Sequence, residues 1–68
     1  MIKARTRLTI KQKLFVEYLL LANGNGAQAA RRAGYSPSSA KEIAHQLLQK
    51  KEVLHEVKRY FKQYGIQY

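Results

Sequence analysis

A short connection centred on Gly34 constrains the fold of this chain more than any other feature. Before it, the alanine-rich residues 26–33 have the composition of a short helix. After it, Ser36 and Pro37 are typical of a helix start, because serine can cap free N–H groups and proline has no N–H to leave unpaired. Gly34 itself can adopt the positive φ at which many helices end. The pattern predicts two helices that meet at a sharp bend.

An amphipathic segment with clear ends precedes this pair of helices. Thr9 and Gln12 have the spacing of a capping box, in which each side chain pairs with the backbone N–H of the other residue. The Asn-Gly-Asn-Gly sequence of residues 23–26 tolerates positive φ and marks the end of the segment. The apolar residues between these ends recur at helical spacing, which predicts a helix packed on more than one side. Its predicted buried residues are Leu14, Phe15, Val16, Tyr18, Leu19, Leu21 and Ala22.

The second helix has a face of small residues. Asn25 is its expected N-cap, and Ala29, Ala30 and Ala33 would let a neighbouring helix approach closely. Tyr35, next to the bend, is placed to fold its ring back between the two helices.

Two apolar stripes follow the bend. The third helix starts near Pro37, and a fourth is predicted for about residues 52–64, with Gly65 as its end. No Gly or Pro interrupts Lys50 and Lys51, so the sequence leaves open whether the third helix stops there or continues into the fourth. The predicted buried residues are Ala40, Ile43, Ala44 and Leu47 in the third helix, and Val53, Leu54, Val57, Tyr60, Phe61 and Tyr64 in the fourth.

The length of the chain limits it to one domain. A chain of 68 residues without cysteine has a thin core that no disulfide reinforces, since a domain of this size buries only about 60% of its unfolded surface. We therefore predict an all-α fold, a small bundle of three to four helices that contains a helix-turn-helix. Residues 1–7 are predicted to form a flexible basic arm, residues 8–65 the helix-turn-helix domain and residues 66–68 a C-terminal tail.

The charge of the chain narrows the possible functions. Thirteen Lys and Arg against four Asp and Glu give a net charge of +9 and an isoelectric point near 10.2, which is typical of proteins that bind a phosphate backbone. A generic basic surface, a ribosome-associated fragment and a membrane-surface peptide remain alternatives. The start of the chain has no signal-peptide pattern, and no apolar run approaches the roughly 18 residues of a membrane span.

Together, the bend and the charge predict a DNA-binding helix-turn-helix, whose third helix enters the major groove. An αα-hairpin with no role in DNA binding is the alternative. Candidate base contacts lie on the outward face of the third helix, and candidate phosphate contacts lie around it and in the N-terminal arm. The candidate DNA-binding residues are Lys3, Arg5, Arg7, Arg31, Arg32, Ser36, Ser38, Ser39, Lys41, Glu42, His45, Gln46, Gln49, Lys50 and Lys51.

No pattern of residues indicates catalysis. His45 and His55 belong to different helices, and no pair of carboxylates or second ligand stands at metal-binding spacing. Gly24 and Gly26 lack the Gly-Lys-Ser/Thr continuation of a phosphate-binding loop. We predict that the protein is not an enzyme and needs no metal or cofactor.

Three blocks of residues, spread over about residues 8–54, resemble the N-terminal DNA-binding domain of the small terminase subunits of tailed double-stranded DNA phages. The similarity departs at Lys50 and Lys51, where that family often has Asn-Pro. The first block matches at Leu8, Thr9, Lys11, Gln12, Phe15 and Tyr18; the second at Asn25, Ala29, Ala30, Ala33, Gly34, Tyr35 and Ser36; the third at Leu47, Leu48 and Val53.

The resemblance implies a role in viral genome packaging, in the cytoplasm of the infected bacterial host. Small terminase subunits recognise the packaging site on concatemeric double-stranded DNA and deliver it to the large subunit, which contains the ATPase and nuclease. The full-length protein is then expected to be a homo-oligomeric ring, with the present chain a monomer that does not bind membranes.

Other functions remain open at this point. A helix-turn-helix transcription regulator of phage or bacterial origin would dimerise on half-sites about 34 Å apart. A basic amphipathic segment that binds membranes or a partner protein through the fourth helix, and an adaptor that does not bind nucleic acid, belong to other functional classes.

Overall fold

The computed structural model describes residues 8–66, which are all-helical, as predicted. The chain forms α1 (Ile10–Leu21), α2 (Gly26–Arg32), a 3₁₀ turn (Pro37–Ser39), α3 (Ala40–Gln49) and α4 (Lys51–Gln63). The predicted basic arm, residues 1–7, lies outside the described residues, as do residues 67–68 of the predicted tail.

Local hydrogen bonds define α1 as the sequence predicts. The Thr9 hydroxyl accepts from the Gln12 N–H at 3.1 Å, and the Gln12 side-chain oxygen accepts from the Thr9 N–H at 3.0 Å. At the other end, Asn23 has a φ of 56°, and the Leu19 carbonyl accepts from the Gly24 N–H at 2.9 Å. This is the bond of a Schellman motif, which satisfies carbonyls that a helix end leaves free.

The bend after α2 is a second Schellman motif. Asn25 caps the start of α2 by accepting from the Gln28 N–H at 3.1 Å. At its end the Tyr35 N–H donates to the Ala30 carbonyl at 3.0 Å, and Gly34 has a φ of +104°. The predicted cap and the predicted role of the glycine are confirmed. The arrangement of α2, the bend and α3 is consistent with a helix-turn-helix.

The start of the third helix differs from the prediction. Ser36 was expected to cap it with its side chain, but no such bond forms; the Ser36 hydroxyl instead lies 3.1 Å from the Ser38 hydroxyl. Pro37 does occupy the first helical position, but it begins a 3₁₀ turn, and α3 itself begins at Ala40. The Ser36 carbonyl accepts from the Ser39 N–H at 3.1 Å. In this tighter turn a backbone carbonyl therefore pairs with an N–H that a side-chain cap would otherwise have bonded.

One residue separates α3 from α4. Lys50 has an extended conformation, with φ −80° and ψ 130°, which any residue adopts without strain. Its N–H still donates to the Leu47 carbonyl at 3.1 Å, and its carbonyl accepts from the Leu54 N–H at 2.9 Å. The chain therefore breaks here without Gly or Pro, which explains why the sequence left this point open.

The four helices enclose the core in cyclic order. The main contacts join α1 to α2, α2 to α3, α3 to α4 and α4 to α1, so α2 and α4 lie on opposite sides of the bundle. The α1–α4 half contributes the large side chains and the α2–α3 half mostly alanines. The buried apolar residues are Phe15, Val16, Leu19, Ala29, Ala30, Ala33, Ala40, Ala44, Leu47, Val53, Val57 and Phe61.

Three positions depart from the predicted core. Leu21 was predicted to be buried but is 72% exposed, and Tyr64 is 59% exposed, because both stand where α1 and α4 end and no helix covers them. Glu56, which was not predicted to be buried, is 6% exposed. Its carboxylate accepts from the Arg59 guanidinium at 2.8 and 3.2 Å, which compensates for its removal from water.

A glycine allows the close packing of α2 on α3. A Cβ atom built on Gly26 would lie 2.9 Å from the Ala44 Cβ, closer than two such carbons can approach. We expect Gly26→Ala to lower the free energy of unfolding by about 1–3 kcal/mol, as overpacking does, although alanine normally stabilises a helix relative to glycine. Urea denaturation of the variant measures this change.

The matched control is a double-mutant cycle with Ala44→Gly. This second change removes the opposing Cβ, so Gly26→Ala should cost less in the Ala44→Gly background than in the wild type. Equal costs in both backgrounds would show that the two positions are not in close contact.

The positive φ of Gly34 gives a second expectation. A Cβ there would meet only the Lys11 Cε at 3.6 Å, an ordinary contact, so any loss of stability comes from the backbone. We expect Gly34→Val to destabilise by at least about 1–2 kcal/mol, since the left-handed region is unfavourable for L-residues and most of all for β-branched ones. Ser38→Val, in the same connection but without positive φ, is the control. Equal thermal midpoints for the two variants would contradict this account.

Candidate DNA-binding surface

The buried side of α3 determines which of its residues face outward. Ala40, Ala44 and Leu47 are in the core, and they recur at the spacing of one helical face. The opposite face is therefore polar and exposed. It consists of the predicted residues Glu42, His45, Gln46 and Gln49, with Lys41 at its edge.

Two residues of this face are hydrogen-bonded to each other. Gln49 Nε2 lies 3.0 Å from His45 Nε2. Which of the two groups donates depends on the tautomer of the His45 ring. The other ring nitrogen of His45 makes no hydrogen bond within the described residues, so it can contact a ligand.

A shallow depression connects the face of α3 to the start of α2. Gly26 and Ala44, which pack closely on each other, are both among its lining residues. Its lining is Gly26, Ala27, Lys41, Glu42, Ala44, His45 and Gln46. Four of the predicted binding residues are thus brought together beside a second helix.

The bend after α2 contacts the start of α1. Tyr35 is half-buried against the core, and the Lys11 ammonium lies 5.2 Å from the centre of its ring, a cation–π distance. Burial raises the pKa of Tyr35 above its ordinary value of 10.0, while a hydrogen bond to Thr9 acts in the opposite direction. Lys11 was not among the predicted site residues, because only the packing of α1 brings it beside the bend.

The remaining predicted residues surround α3 at different distances. Arg31 and Arg32 are exposed in the last turn of α2, at the other end of that helix from the depression. Lys50 and Lys51 are exposed at the α3–α4 junction, where Lys50 shares a hollow with Thr9 and Gln12 from the start of α1.

The serines of the connection differ in exposure, with Ser36 and Ser38 exposed and Ser39 half-buried. The arm residues Lys3, Arg5 and Arg7 lie outside the described part of the chain.

The positive charge of this surface is not neutralised by ion pairs. Within residues 8–66 the only salt bridge joins Arg59 to Glu56, and both belong to α4. The candidate cations near α3 therefore have no acidic side chain bound to them, and an anionic ligand would meet them unpaired. Glu42 is the one acid on the face of α3, where a carboxylate can accept from the amino group of cytosine.

The described residues offer no metal-binding cluster and no membrane span. Within residues 8–66 no three His, Asp or Glu side chains come together in a group that could hold a metal ion. None of the helices formed by these residues has both the length and the apolar character needed to cross a bilayer.

Fold and surface together define a small basic helical-bundle protein in which the polar face of α3 is turned outward. Comparison with known protein families matches the family described as terminase small subunit over residues 8–66. The chain belongs to the terminase small subunit family, as the three sequence blocks indicated, and through it to the phage packaging machinery. Comparisons with curated proteins and with solved structures found no match.

The raised pKa of Tyr35 predicts how stability changes in alkali. Because the pKa is higher in the folded state than the unfolded value near 10, the stabilisation is complete below pH 10 and is lost as the pH rises through the folded pKa. We expect the free energy of unfolding to fall more from pH 9 to pH 11 in the wild type than in Tyr35→Phe. Lysine deprotonation is common to both proteins, so equal losses would contradict the assignment.

Proposed function

We propose that this protein is the double-stranded DNA-binding component of a phage terminase. It recognises the packaging site and initiates genome packaging together with the large subunit, which contains the ATPase and nuclease. The observation that carries the proposal is the outward polar face of α3, held by buried Ala40, Ala44 and Leu47 within a chain of the terminase small subunit family.

In the proposed complex α3 lies in the major groove. Gln46 and His45 can donate to base edges, and Glu42 can accept from cytosine. The short 3₁₀ turn before α3 directs Ser36 and Ser38, both exposed, toward the sugar–phosphate backbone. The lysines and arginines around α3, and the predicted arm, supply the phosphate contacts that position the helix.

The role proposed for this chain is recognition, not catalysis. Bond cleavage and ATP hydrolysis belong to the large subunit, so the protein requires no cofactor of its own. The proposed site of action is the cytoplasm of the infected bacterium, where concatemeric DNA is packaged. A ring of subunits would raise the effective affinity of each domain for the packaging site through avidity.

Two variants separate base reading from phosphate binding. His45→Ala/Gln46→Ala should weaken binding to a duplex selected for tight binding by about 1–3 kcal/mol per lost base contact and change binding to a random duplex little. Lys41→Gln/Lys50→Gln should weaken both duplexes alike and reduce the slope of log K against log salt by about 0.9 per phosphate lost. Fluorescence anisotropy of labelled 30-base-pair duplexes over a range of salt measures both effects.

Lys13→Gln is the control, because Lys13 is exposed on α1 and does not line the depression. It should change neither the preference nor the slope by more than a small part of these effects. Absence of duplex binding by the wild type at low salt would refute the proposal. Equal weakening of both duplexes by His45→Ala/Gln46→Ala would remove the base-reading role from α3.

A further inference from the structure

A second basic surface lies on α4 and shares only Lys51, at the α3–α4 junction, with the surface proposed above. Four basic residues recur there at positions i, i+4, i+7 and i+11, which fall within about 60° of one another around a helix of 3.6 residues per turn. All four are exposed. This α4 stripe consists of Lys51, His55, Lys58 and Lys62.

The core fixes the direction of the α4 stripe. Val53, Val57 and Phe61 of the same helix are buried, on the side opposite the stripe. Because α4 contacts α1 and α3 and lies across the bundle from α2, its outer face turns away from α2. The depression on the face of α3 borders the start of α2. The depression therefore lies on the α2 side of α3, whereas Lys58 and Lys62 lie on the outer face of α4.

No acidic side chain of the described residues pairs with Lys58 or Lys62. The one salt bridge of α4 uses Arg59 and the buried Glu56, which leaves the stripe unneutralised. Lys58 and Lys62 stand at i and i+4, where like charges destabilise a helix by about 0.2–0.5 kcal/mol. A bound polyanion would remove that repulsion.

The shape of the α4 stripe fits a linear polyanion. From Lys51 to Lys62 the helix rises by about 17 Å at 1.5 Å per residue, and one strand of duplex DNA presents about five phosphates over that distance. Insertion of α4 into a membrane would need a free apolar face, but Val53, Val57 and Phe61 are already in the core.

We propose that the α4 stripe binds the phosphate backbone of a second segment of duplex DNA while α3 contacts the first. This inference rests on the proposed function, since it takes for granted that α3 binds a duplex. It adds that a single domain bridges two segments, one held through base and phosphate contacts and the other through phosphates alone.

A capture experiment tests the bridge directly. One 30-base-pair duplex is attached to beads, and a second, fluorescently labelled duplex is free in solution at about 0.1 M salt. We expect wild-type protein to bring the free duplex to the beads. Lys58→Gln/Lys62→Gln should reduce this capture by at least tenfold. Each lost phosphate contact changes the salt exponent of the binding constant by about 0.9, and at about 0.1 M salt two lost contacts weaken binding by more than tenfold. The affinity of the double variant for a single free duplex, measured separately, should fall by less than about threefold.

The charge-matched control is Lys13→Glu, which lowers the net charge by the same two units as the double variant but lies on α1. It should bridge like the wild type, and thermal melting checks that both variants fold. Equal capture by Lys58→Gln/Lys62→Gln and by the control would overturn the proposal. That result is expected if bridging comes from pairs of protein molecules, each of which holds one duplex.

An equal loss of capture and of single-duplex affinity in the double variant would also overturn the proposal, by placing the stripe on the same duplex as α3. Failure of the wild type to bind even one duplex would instead refute the proposed function itself, so the two failures are distinguishable.

Discussion

The rest of the structure depends on the close approach of α2 and α3 at Gly26 and Ala44. With 2.9 Å between a Cβ built on Gly26 and the Ala44 Cβ, the two helices can touch only because one of them has no side chain at this point. The neighbouring Ala29, Ala30 and Ala40 are buried as well, and each contributes little apolar area. This interface is therefore stabilised by dense backbone contact, in which many weak dispersion contacts replace a few large side chains.

The two halves of the core contribute differently to the stability of the domain and to the orientation of α3. The large buried side chains come from α1 and α4, and they include Phe15, Leu19, Val57 and Phe61. These side chains provide most of the hydrophobic free energy of a thin core. The alanine half sets the rotation of α3, and through it the direction of its polar face. A change in the α1–α4 half should therefore alter stability first, whereas a change in the α2–α3 half alters stability and the binding surface together.

The sequence predicted features that are decided within a few residues and missed those that depend on distant packing. The capping box of Thr9, the cap of Asn25 and the bend at Gly34 are local hydrogen-bonding and φ requirements, and all three are present. Helical spacing likewise predicted the outward face of α3. Leu21 and Tyr64 satisfy the same spacing but are exposed, because the pattern does not show where a neighbouring helix ends. The burial of Glu56, the break at Lys50 and the place of Lys11 beside Tyr35 also follow from tertiary contacts, and no local pattern signals them.

The packing of α4 in the same core as α3 determines how the face of α3 and the α4 stripe are related. Lys50 is the only residue between the two helices, and its N–H and carbonyl both remain bonded, to Leu47 and Leu54. These two bonds lie on either side of Lys50 and do not restrict its φ and ψ. The angle between α3 and α4 is held instead by their packing in one core, where Leu47 and Val53, on either side of the junction, are buried. The angle between the two helices is therefore a property of the folded domain and not of a linker. Two DNA segments held by these surfaces would cross at that fixed angle, so the geometry of the crossing would be the same at every copy of the domain.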